Sequence, residues 1–133
     1  MAAHDAAMSR RSALVFAEGS RSILIREGMM GIGMQIVYLG FCGTGPIEAE
    51  AAVQLVRLER FGNLVSNCHL AIEAVGLRSG NPVYDVRLDL ITPTHDLKPV
   101  GHCTGENAEE TIRCAFDAAE KELETTVARA RDR

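Results

Sequence analysis

The chain has 133 residues, of which 47% are hydrophobic and 24% charged, with no tryptophan; that suits one domain with a real core and leaves too little chain for two. Fourteen Lys and Arg stand against 18 Asp and Glu, and the formal net charge of -4 excludes indiscriminate coating of nucleic acid or of an anionic membrane. Cys42, Cys68, Cys103 and Cys114 lie far apart with no C-x-x-C pair, so spacing points to neither a zinc knuckle nor a disulfide framework, and reduced thiols in a cytoplasmic protein are expected. No window approaches the ~18 uninterrupted apolar residues of a membrane span.

Residues 1–33 hold Arg10, Arg11, Arg21 and Arg26 against Asp5, Glu18 and Glu27 without a sustained hydrophobic period. They read as a weakly ordered leader or an upstream extension, with the folded domain spanning 34–133. The Arg10-Arg11 pair precedes an apolar run that stops at Glu18, short of an export signal's apolar core. Setting this stretch aside leaves 10 basic and 15 acidic residues, so the domain proper is more acidic than the whole chain.

Met34 to Leu39 is a β-rich run ended by Gly40 and the Gly43-Thr44-Gly45-Pro46 cluster, a strand followed by a turn. Pro46 suits a first helical position, and Ile47, Ala51, Leu55 and Leu58 recur at helical spacing, which predicts an amphipathic helix over 47–60 stopped by Gly62-Asn63. Cys68, Leu70, Ile72 and Ala74 alternate with more polar neighbours, as do Tyr84, Val86, Leu88 and Leu90, giving two half-buried strands joined by a hairpin over Gly76 to Pro82. A turn at 92–96 leads to a strand over 97–103 that Pro99 and Gly101 mark as a ragged edge strand. Asn107 with Glu110 resembles a capping box, and Ile112, Phe116, Ala119, Leu123 and Val127 form the apolar stripe of a second helix over 107–130.

The order strand, helix, three strands, helix predicts a two-layer α+β domain: β-α-β-β-β-α, with two helices packed on one face of a four-stranded sheet and the other face open to water. The first two strands, joined through a helix, are expected to be parallel and the rest antiparallel.

Chemical motifs are sparse. The chain has no G-x-S-x-G elbow, H-E-x-x-H pair or Walker loop, so neither a catalytic residue nor a cofactor is expected, and the 40–45 loop reads as a turn. His69 and His102 would need neighbouring strands to share a metal, and an intervening strand is expected between them, so no metal site is predicted. Glu73 with Arg87 is the expected charge pair on the open face, and Arg113, Asp117 and Lys121 read as a solvated ladder along the second helix. Arg57 and Arg60 lie on one side of the first helix and, with the Arg129-Arg131-Arg133 tail, make a modest basic end on an acidic domain.

Four phrases then resemble a known family: Leu58-Glu59-Arg60-Phe61; Asn67-Cys68-His69-Leu70-Ala71-Ile72-Glu73-Ala74; Gly80 through Leu90 with Pro93 after it; and Ile112 through Glu124. In this order they resemble the ribosome hibernation-promoting factor and ribosome-associated translation inhibitor family, over roughly 34–133, in its short form. The resemblance implies a fold similar to double-stranded RNA-binding domains, and docking on the small ribosomal subunit in the channel used by messenger and transfer RNA, so that idle ribosomes are stored under stress. The mechanism implied is occlusion, with basic side chains gripping rRNA phosphates. Carried over residue by residue, Arg57, Arg60 and Lys121 match basic positions, and Arg129 and Arg131 extend that set. Gln54, Ala118, Glu124 and Thr125 stand where relatives often carry Lys or Arg. A protein-interaction module on the same fold, binding a partner or itself through the sheet edge, is the competing expectation.

Overall fold

The structure is a computed structural model that describes residues 12–17, 20–26 and 31–131. Its strands are β1 (Ser12–Ala17), β2 (Ser20–Arg26), β3 (Gly33–Leu39), β4 (Asn67–Arg78), β5 (Asn81–Ile91) and β6 (Leu97–Gly105). The helices are α1 (Gly45–Leu58), extended by a 3-10 turn at Glu59–Phe61, and α2 (Ala108–Arg131).

Local chemistry sets the helix ends. The Ile47 amide donates to the Thr44 hydroxyl at 3.3 Å, with Pro46 in the first turn of α1. The Glu110 amide donates to the Asn107 side-chain oxygen at 2.8 Å, while Glu109 and Glu110 place negative charge at the positive end of α2.

From β3 to β6 the chain forms the predicted four-stranded mixed sheet. β3 and β4 pair in parallel across the α1 crossover, and β5 is antiparallel to both β4 and β6. The register aligns Met34 with Cys68 and Leu90, Ile36 with Leu70 and Leu88, and Tyr38 with Ile72 and Val86. All nine are buried, and they meet the buried faces of α1 (Ile47, Ala51, Leu55, Leu58) and α2 (Ile112, Ala115, Phe116, Ala119, Leu123) in one core. Both helices therefore cover the same side of the sheet.

β6 is the predicted edge strand. Its pairing with β5 shifts between Leu88 and Asp89, which oppose Gly101 and Pro99 and leave Val100 as the extra residue of a bulge. At Gly101 the absent side chain is a packing requirement: a Cβ there would overlap the Ala115 carbonyl of α2. The long helix thus lies directly on the edge strand.

The sheet is wider than the predicted four strands, and the addition comes from the stretch expected to be a leader. β1 pairs antiparallel with β2, and β2 with β3, giving the order β1-β2-β3-β4-β5-β6. The runs around Leu14-Val15-Phe16 and Ile23-Leu24-Ile25 are short and β-prone, and pairing them satisfies backbone groups along β3 that would otherwise form an open edge. Arg10, Arg11 and Arg133 lie outside the described residues.

Candidate functional site

α1 and α2 lie side by side on the sheet, and the seam between them gathers charge. Arg57 sits in the last turn of α1 and Arg60 three residues on, so both project toward the same flank. On α2, Asp117, Glu120 and Glu124 follow at steps of three and four residues, which makes one carboxylate stripe facing them.

The two sets meet. Arg57 Nη1 lies 3.0 Å from Asp117 Oδ1, and Arg57 Nη2 pairs with Glu120 Oε1. Arg60 Nη2 reaches Glu120 Oε2 at 2.9 Å and Glu124 Oε2 at 2.7 Å, with its guanidinium 4.3 Å from the centre of the Phe61 ring. Buried Gln54 accepts from Arg57 at 2.5 Å and donates to Glu50 at 2.7 Å, and Glu50 in turn pairs with Arg113 Nε at 3.1 Å. Three guanidinium groups thus face four carboxylates along the seam, a local excess of one negative charge.

Protonation follows from these contacts. Hydrogen bonds from Arg60 and Arg57 hold the Glu120 carboxyl below its ordinary range, partial burial opposing them. The same bonds raise both arginines, chiefly through Glu120.

The expected site residues are therefore partly brought together. Arg57 and Arg60 are adjacent but held by carboxylates. Lys121 stands on the outer ridge of α2, and among the described residues neither it nor Arg129 nor Arg131 makes an ion pair. Arg129 faces the other flank of α2, where it lines a shallow groove of about 350 Å³ with Lys98, Thr126 and Ala130; Lys98 pairs with Glu122 at 3.4 Å. So the arginine tail does not join Arg57 and Arg60 in one patch. Lys98 escaped the sequence pattern because only the folding of β6 beside α2 brings it to Arg129.

Three other expectations change. The ladder of Arg113, Asp117 and Lys121 along α2 is replaced by pairing across to α1: Arg113 with Glu50 and Asp117 with Arg57. On the open face Glu73 opposes Asp85 rather than Arg87, and Asp85 bonds His102 Nε2 at 2.6 Å and the Thr104 hydroxyl at 3.0 Å. Cys103 and Cys114, expected as reduced thiols, form a disulfide, because the turn after β6 folds α2 back along that strand and leaves their Cα atoms 6.2 Å apart. His69 and His102 sit on β4 and β6 with β5 between them, and no group of three or more metal-ligating side chains occurs among the described residues. No described helix is long and apolar enough to cross a membrane.

No family model matches the chain, and no curated protein matches it by sequence. A solved structure is similar to it in fold. It is a ribosomal subunit interface protein from Coxiella burnetii, 14% identical, with a TM-score of 0.52 over 71% of this chain and 94% of that one. At that identity the likeness establishes the fold: the α+β arrangement of two helices on a mixed sheet is that of the Coxiella burnetii protein.

Proposed function

We propose that this chain is a ribosome-associated regulator of translation that docks on the small subunit and blocks the channel for messenger and transfer RNA under stress. The observation that carries the reading is the fold shared with a protein that is itself a ribosomal subunit interface protein, presenting a two-helix layer with Arg57 and Arg60 at its seam. Arg57, Arg60, Lys121, Arg129 and Arg131 supply the contacts to rRNA phosphates, from two flanks of α2 rather than one patch. The action is steric, in the cytoplasm, and uses no cofactor or bond chemistry.

Cosedimentation with purified small subunits over a range of salt concentrations tests it. The wild type pellets with subunits at low salt, and Arg57→Ala/Arg60→Ala pellets less. The deficit is largest at low salt, because removing phosphate contacts flattens the salt dependence by roughly 0.7 to 0.9 of a slope unit per contact. Absence of the wild type from the subunit pellet at any salt overturns the proposal.

One observation favours a second reading. Because Arg57 and Arg60 are already neutralised and the seam is net negative, the same fold serves equally as a protein-interaction module without RNA affinity. A protein that never pellets with subunits, even when Glu120→Gln frees the arginines, fits that reading.

A further inference from the structure

We propose that Cys103 and Cys114 are a reversible redox-modification site, exchanging electrons with low-molecular-weight thiols and disulfides of the glutathione type. The pair joins the edge strand β6 to the first half of α2, and its Cα atoms are 6.2 Å apart. Cys114 is exposed and Cys103 half-buried, so a small thiol reaches the bond without unfolding the protein. This inference stands apart from ribosome binding and is tested without it.

Two further observations favour a switch over a passive staple. Both partners are held in place without the bond: β6 by its ladder to β5, and α2 by buried Ile112, Ala115, Phe116, Ala119 and Leu123. The reduced pair therefore stays folded with its sulfurs adjacent, ready to close again. The remaining cysteines do not compete equally. Burial pushes the Cys68 thiol up to about 12, which leaves it unreactive, and exposed Cys42 lies beyond β3, outside the β6 and α2 pairing.

Closure takes two exchanges. The Cys114 thiolate attacks one sulfur of glutathione disulfide, forming a mixed disulfide and releasing one glutathione thiolate. The Cys103 thiolate then attacks the Cys114 sulfur, forming the Cys103 to Cys114 bond and releasing the second. Two electrons pass from the cysteine pair to glutathione disulfide, and the two cysteine protons end on the two released thiols. Reduction by two glutathiones is the reverse.

The test uses the full chain carrying Cys42→Ser, equilibrated in mixtures from pure glutathione disulfide to pure glutathione, acid-quenched, denatured, alkylated and weighed. Expected is a concerted change from one alkylated thiol, Cys68, to three, with circular dichroism unchanged throughout. Cys103→Ser should accumulate a glutathione adduct at Cys114, and Cys114→Ser markedly less at Cys103. A pair that stays linked in glutathione alone is a structural staple, and a pair that stays open in glutathione disulfide alone never closes. Either result, or loss of the fold on reduction, overturns the proposal.

Discussion

Glu120→Gln separates the two uses of the helix seam. In the wild type this carboxylate holds Arg57 and Arg60 at once, while Asp117 and Glu124 each hold one of them. Replacing it with the neutral amide keeps the shape, removes the shared partner and takes the seam from an excess of one negative charge to neutrality. Two guanidinium groups then become more available to phosphate. If each contributes its contact, the slope of log affinity against log salt steepens by about 1.5 units. Over a fourfold rise in salt, from about 50 to 200 mM, that is an additional loss of roughly eightfold relative to wild type. The assay is filtration or sedimentation of labelled protein with small subunits at four or five salt concentrations. Glu120→Gln should bind more tightly than wild type at low salt and converge on it as salt rises. A variant with unchanged slope, in a protein whose binding Arg57→Ala weakens, would refute the idea that Glu120 masks these arginines.

Acid should expose the same pairings. The folded-state pKa of Glu120 is depressed, so its contribution to stability is present above the ordinary carboxylate range and lost as pH falls through the lowered value. The urea midpoint of wild type should therefore fall more steeply below about pH 4 than that of Glu120→Gln, as followed by circular dichroism. Gly101→Val forces a side chain into the Ala115 carbonyl and should cost about 1 to 3 kcal/mol or more, read as a lower melting temperature. Phe116→Ala empties a fully buried position and should cost about 3 to 5 kcal/mol by denaturant titration, with little direct effect on the exposed charge cluster.

Much of the fold was legible in local pattern. Alternation over Cys68 to Ala74 and Tyr84 to Leu90 marked the faces that the register then buries together, because side chains in a strand point alternately to opposite sides. The spacing of Ile112, Phe116, Ala119 and Leu123 located α2 for the same reason at helical period, and Asn107 announced its start. Pro99 and Gly101 identified the edge strand because proline cannot donate to a ladder. The Ser12 to Arg26 strands escaped notice because two short runs carry no sustained period, and only their pairing with β3 makes them elements.

The basic residues of the site were legible one by one, but their carboxylate partners were not. Sequence placed Arg57 and Arg60 on one flank of the first helix and read Arg113, Asp117 and Lys121 as a ladder along the second, and spacing within a helix decides that much. The Asp117, Glu120 and Glu124 stripe that faces the arginines emerges only in the fold. Which flanks meet depends on how two helices settle on one sheet, and that packing pairs both arginines with carboxylates of α2. The disulfide follows the same logic: a cysteine in a strand and another 11 residues later in a helix have no motif between them. Chain order and hydrophobic period determine the elements because they act over a few residues. Charge pairing and sulfur chemistry act across space, and only the packing of α2 against α1 and β6 decides them.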